Sequence, residues 1–341
     1  MKKCKVLLTS AMLIAAFAGA NAVHADEPVS KGSTVEIKKT VDLTDDKVLM
    51  PKTSFNFTVE PDKTATGTKD NLDVKPGIQV TGQNLKVDYT NTDKPGNKTK
   101  TTTVDFANVE FPKAGIYRYV VKETDNKIPG ITYDVQEYEV DVYAYDNGKG
   151  KFVANYVVSH KKGNEAKEPI QFNNKLKTTS LTVKKTVTGN TGERDRDFNF
   201  TLELIPNAEF EKGQTVTFTK KGKDKPETSI EAKIGEVTQF TLKNGESLTL
   251  DKFPVGISYK VDETKVEGYT TSAKLTDGDK AAAAYTLGTE QKSDETADVI
   301  DVTNNKEGII PTGVVNTIAP FAALAIVAIG GSLYFVKRKK A

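Results

Sequence analysis

Six side chains in this sequence, a Lys, a Glu and an Asn taken twice, have types and spacing that could make a covalent bond. Lys39 lies in TVEIKKTVD (34–42), Glu123 in YRYVVKE (117–123) and Asn174 in IQFNNK (170–175). Lys185 lies in LTVKKTVTG (181–189), Glu263 in YKVDE (259–263) and Asn304 in IDVTNNK (300–306). The order is the same in both halves, and the separations are similar. In a strand, alternate side chains share a face. Val35, Ile37, Lys39 and Val41 then fall together, as do Leu181, Val183, Lys185 and Val187. Tyr117, Tyr119, Val121 and Glu123 form a second such set, matched by Ile257, Tyr259, Val261 and Glu263. Ile170, Phe172 and Asn174 form a third, matched by Ile300, Val302 and Asn304. Each half therefore sends one Lys, one Glu and one Asn toward its interior, while Lys38 and Lys184 go to the opposite face.

Burying an ammonium group is expensive, and pairing it with a carboxylate need not recover the lost solvation. One reading of each Lys–Glu pair is an ion pair at the rim of a sandwich. Two coincident triads favour chemistry instead. Desolvation favours neutral forms, lowering a lysine pKa and raising a glutamate pKa. The neutral amine is a nucleophile. A protonated Glu can donate to the Asn side-chain carbonyl and carry protons as ammonia leaves. The product is an isopeptide bond between Lys Nζ and Asn Cγ, and both charges vanish with it. Positioning replaces an external enzyme. The pairs are Lys39–Asn174 with Glu123 as catalyst, and Lys185–Asn304 with Glu263. Asn173 and Asn305 are competing acceptors, but they alternate to the other face.

The elements that must position these groups are short strands. SFNFTVE (54–60), YEVDVYAY (138–145), FNFTLEL (198–204) and ESLTLDKFP (246–254) alternate apolar and polar residues between Gly, Pro, Asn and Asp turns, the pattern of half-buried strands. Many such strands in a unit of this size imply an all-β fold of β-sandwiches. The one candidate helix is DKAAAA (279–284). The internal repeat divides the chain into domains at 26–176 and 177–307.

The ends read as export and anchoring signals. Lys2, Lys3 and Lys5 precede the apolar run VLLTSAMLIAAFAGA, and Val23 and Ala25 suit a cleavage site after Ala25, making 1–25 a signal peptide. Residues 314–336 are apolar and long enough to span a bilayer, and the basic KRKK at 337–340 is a cytoplasmic stop. The only cysteine, Cys4, lies in the leader, so the exported chain has none, and it keeps one Met (Met50) and one His (His160). Thiol catalysis and His/Cys metal clusters are excluded by inventory. A Ser-His-Asp triad would have to use His160, which falls in a polar stretch that reads as loop. The net charge is +2 with signs interspersed, so there is no basic stripe for nucleic acid. No cofactor or metal is expected, and no enzyme activity beyond single-turnover self-modification.

The triads, together with YRYVVKETDNKIPGITY (117–133) and IPTG (310–313), resemble the Gram-positive major pilins, closest to the streptococcal backbone pilin of T-antigen type. The Glu-centred segment resembles the pilin E-box. IPTG is similar to the sortase sorting motif, without the usual leading Leu. The resemblance covers essentially the whole chain and implies two tandem Ig-like, CnaB-type domains followed by a cell-wall sorting signal at 308–341. It further implies that a pilin-polymerising sortase attacks the Thr312–Gly313 bond, discards the membrane tail and passes the acyl group to a lysine of the next copy. In the family that lysine precedes the last strand of the first domain. Here the segment is SHKKGNEAKEPIQF (159–172), which gives Lys167, with Lys161 and Lys162 as rivals because the loop is longer; a Tyr-Pro-Lys pilin motif is absent. The implied partners are the sortase, copies of the same chain, minor pilins and cell-wall peptidoglycan, with the membrane only before sorting. The implied location is a surface pilus anchored to the wall. A monomeric wall-anchored adhesin on the same sandwiches is the alternative.

Overall fold

The computed structural model describes residues 29–42, 47–93, 99–222 and 225–308. The proposed signal peptide, Thr312, Gly313 and the apolar segment at 314–336 lie outside these. The described residues form strands and loops without a helix. They divide at Thr178/Thr179 into two compact units, with the short segments 206–214 and 254–256 grouped with the first.

In the first unit an eight-stranded sheet faces a four-stranded one. The smaller sheet is built on a parallel pair, Thr34–Asp42 against Ile170–Leu176. Its first and last strands thus lie side by side, which brings groups far apart in sequence into contact. The larger sheet carries Gly115–Glu123 between Thr53–Pro61 and Tyr138–Asp146. Val35, Ile37, Val41, Tyr117, Tyr119, Val121, Ile170 and Phe172 join one buried cluster between the sheets. Here the alternation of the sequence does its work, because each strand's apolar set faces inward and a one-residue slip would expose it.

The second unit repeats the plan with a seven-stranded and a four-stranded sheet. Thr178–Thr188 pairs in parallel with Asp298–Asn305, and Ser258–Glu263 lies in the other sheet against Phe198–Ile205. Leu181, Val183, Val187, Ile257, Tyr259, Val261, Ile300 and Val302 are buried between them.

Two sequence expectations fail. DKAAAA is no helix: Asp279 and Lys280 turn, and Ala283–Tyr285 is a strand paired with Thr270–Asp277. Four alanines are too few to offset helix nucleation, whereas Tyr285 anchors the segment by burying its ring and donating its hydroxyl to the Thr289 carbonyl. YEVDVYAY is not half-buried either. Its polar face carries Glu139 and Asp141, both buried. A hairpin covers that face, its strands Thr68–Lys69 and Leu72–Pro76 joined through Asp70 and Asn71 at φ 50° and 65°, the two left-handed residues that a tight hairpin turn requires.

Candidate functional site

Lys39 sits in the parallel pair with its backbone opposite Phe172, and Val41 is opposite Asn174. Lys185 lies opposite Val302, and Val187 opposite Asn304. The register is identical in the two units. In each, the amide lies two residues along the neighbouring strand on the same face, a diagonal offset that a long side chain can reach across. The glutamates come from the facing sheets, Glu123 opposite Phe57 and Glu263 opposite Phe200.

All six groups are inside. The side chains of Lys39 and Glu123 are 0 % exposed, and those of Lys185 and Glu263 are 0 % and 1 %. Asn174 and Asn304 are fully buried. Lys39 Nζ is 2.8 Å from Glu123 Oε1, and Lys185 Nζ donates to Glu263 Oε1 at 2.6 Å. The ammonium groups lie over aromatic faces, Lys39 at 4.6 Å from the Phe55 centroid and Lys185 at 4.2 Å from that of Phe198. These rings keep water from the amines. Burial brings Lys39 down to about 8 against the pull of Glu123, and burial raises Glu123 despite Lys39. Lys185 is lowered by burial as well, with Glu263 opposing.

The first site differs in one respect from the sequence reading, which had Glu123 donating to the Asn carbonyl. Glu123 Oε1 instead accepts from Asn174 Nδ2 at 3.0 Å, so one carboxylate oxygen lies against both nitrogens. The Asn174 carbonyl oxygen accepts from the backbone N–H of Asp134 at 2.8 Å. In the second site, the Asn304 amide is buried with neither side-chain atom hydrogen-bonded among the described residues. Asn173 is exposed and accepts from Gln171 Nε2 at 3.0 Å, while Asn305 accepts from Thr188 Oγ1 at 2.9 Å. Both competing amides therefore point away. Sequence reasoning missed Phe55, Phe198 and Asp134. The first two had a signal, since FNFT occurs at 55–58 and again at 198–201.

Lys167 is exposed in the segment that follows Phe152–Lys161, where its backbone bridges His160, and among the described residues its side chain enters no ion pair. Lys161 is paired with Glu168 at 3.0 Å and Lys162 with Glu137 at 2.7 Å. Lys161 also ends the strand rather than lying in the loop. His160 is likewise strand, not loop, and is 1 % exposed. Its Nε2 is 3.5 Å from Asp141 Oδ2, and its Nδ1 is 3.6 Å from Glu139 Oε2. Burial opposes its charge, but Asp141 outweighs this and raises its pKa. Ser159 Oγ donates to the Glu168 carbonyl at 2.6 Å rather than to the neighbouring His160. What hid His160 was its polar flank; Arg118 and Lys69 cover that face by binding Asp141 at 2.7 Å and 3.1 Å.

Residues 35–177 match the family described as "Spy0128-like isopeptide containing domain", and residues 179–306 match a domain of unknown function, DUF7601. A pilin of Streptococcus pyogenes serotype M1 is 42% identical over 349 residues, covering all of both chains. The chain belongs to the streptococcal major-pilin family. The solved structure of the T3.2 major pilin of Streptococcus pyogenes is 47% identical, with a TM-score of 0.77 over 82% of this chain and 99% of that one. By contrast, the pilus tip adhesin Cpa of Streptococcus pyogenes is 34% identical over 138 residues, 40% of this chain and only 18% of that protein. As a major pilin, the chain is a structural subunit of a surface pilus. The monomeric-adhesin alternative has no comparable full-length match among these relatives.

Proposed function

We propose that this major pilin closes two intramolecular isopeptide bonds and is then joined covalently to copies of itself. In the first unit Lys39 Nζ, as the neutral amine, attacks Asn174 Cγ. Glu123 Oε1 takes the Nζ proton and delivers a proton to Nδ2, which leaves as ammonia. The carboxyl ends as it began, so Glu123 turns over once as a proton shuttle. Lys185, Asn304 and Glu263 do the same in the second unit. The observation that carries this reading is the burial of two Lys–Glu–Asn sets in one shared register, each amine against a carboxylate and over a ring.

Polymerisation follows the family resemblance. A sortase cleaves Thr312–Gly313, and Lys167 of the next copy receives the acyl group. Lys167 is favoured over Lys161 and Lys162 because it is exposed and its side chain enters no ion pair among the described residues. Minor pilins and anchorage to cell-wall peptidoglycan complete the assembly.

The test of the cross-links is the intact mass of the 26–311 fragment. It should fall short of the sequence mass by two ammonia molecules, and Glu123→Ala and Glu263→Ala should each restore one. A full sequence mass in the parent fragment would sink the reading. For the linkage, sheared surface material should run as a high-mass ladder that collapses to a single band in Lys167→Ala.

A further inference from the structure

The two sites differ at the amide oxygen, and the difference traces to one residue. In the first unit Ile131–Thr132 pairs briefly with Lys175 and Leu176. Beyond it, Asp134 leaves the ladder. Its carboxylate replaces a strand partner, Oδ2 accepting the Asn173 N–H at 2.8 Å and Oδ1 the Gln136 N–H at 2.9 Å. Its own N–H, freed from the sheet, is aimed at Asn174 Oδ1 at 2.8 Å. In the second unit the equivalent strand stays in the ladder: Thr270 pairs with Asn305, Thr271 with Asn304 and Ser272 with Thr303. Ser272 occupies the place of Asp134, and the Asn304 oxygen has no donor among the described residues.

We propose that Asp134 is a positioning residue that supplies a one-donor oxyanion hole for closure of the Lys39–Asn174 bond, and that the Lys185–Asn304 bond closes without one. This rests on the isopeptide reading above. As the Nζ–Cγ bond forms, Asn174 Oδ1 takes up negative charge. The Asp134 N–H stabilises that charge without reorganising, because the side chain has already tied the loop to the Asn173 amide. The charge returns to the carbonyl when the Cγ–Nδ2 bond breaks and ammonia departs with the proton from Glu123. Removing one such donor slows acyl transfer by about 100-fold or more; loosening it by removing its anchor should slow closure by roughly 10-fold.

The charge of Asp134 works the other way. It favours the protonated Lys39, so losing that charge alone should speed closure. The clamp and the charge therefore predict opposite signs. The full chain is made in a timed cell-free synthesis and quenched at intervals. After proteolysis, the peptide pair joined through Lys39–Asn174 is quantified beside the pair joined through Lys185–Asn304. Asp134→Ala should slow the first and leave the second unchanged. Asp134→Asn keeps an acceptor for the Asn173 N–H but not the charge, and should close the first bond at the parent rate or faster. An Asp134→Ala chain that closes the first bond as fast as the parent, or slows both bonds alike, overturns the inference. Absence of both joined peptides from the parent chain would overturn the isopeptide reading itself.

Discussion

A lysine in a sandwich core is stable there only if its charge is neutralised or removed. Lys39 and Lys185 meet that condition by lying on a carboxylate and over a phenylalanine ring. The ring does more than fill space. It replaces water on the open side of the amine, and the missing hydration brings the neutral, nucleophilic form within reach. Phe198→Ala opens that side in the second unit. Closure of Lys185–Asn304 should then slow by an order of magnitude while Lys39–Asn174 proceeds unchanged, as read from the two joined peptides. Truncating a buried Phe costs about 3–5 kcal/mol of stability, so a melt of the same variant establishes that the unit still folds. Equal closure rates in parent and variant would remove the ring from the mechanism.

At the scale of elements, the parallel pairing of Thr34–Asp42 with Ile170–Leu176, and of Thr178–Thr188 with Asp298–Asn305, explains why each domain has its Lys near the start and its Asn near the end. Any slip of one residue would move Lys39 to the outer face and end the chemistry. The last strand of the second unit carries a further buried acid. Asp298 Oδ2 accepts from the Tyr259 hydroxyl at 2.8 Å. Burial raises Asp298 to about 6, more than the Tyr259 bond lowers it. The folded state thus holds this proton more tightly than the unfolded chain does. The resulting stability is complete below about pH 4, the ordinary range of an Asp, and is lost as pH rises toward 6. Asp298→Asn retains an acceptor for Tyr259 and has no charge to bury. It should stabilise the second unit at pH 7.5 by about 1–2 kcal/mol and have no effect at pH 4. Denaturation curves at the two pH values decide this; an equal effect at both would refute it.

For the whole molecule, the proposed bonds determine which residues bear tension. With the proposed linkage at Lys167 and Thr312, force entering at Lys167 would reach Asn174 and then Lys185, cross to Asn304, and leave toward Thr312. Residues 186–303 lie outside the loaded route, and most of the first unit is a side branch closed by Lys39–Asn174. Single-molecule pulling on linked copies should show no long extension from the second unit, whereas Glu263→Ala should add one. That variant should also melt lower. A cross-link closing a loop of this size contributes about 5 kcal/mol if its action is mainly on the unfolded chain, as for a disulfide, and no reductant can open it. A long unfolding step in the parent would contradict this route.

Alternation alone was enough to read the β-sandwich class and the inward set of each triad strand, because burial on one face of a pleat leaves a period of two in the residues themselves. The doubled Lys–Glu–Asn order was equally legible, since a repeat needs no coordinates. The ladder around Asp134, the bare amide of Asn304, the short strand made from Ala283–Tyr285, and the burial of His160 beneath Arg118 and Lys69 were not. Those depend on which loop crosses which face and on whether a strand stays paired for two residues more. Such choices are made by contacts between segments far apart in sequence, so no local pattern records them.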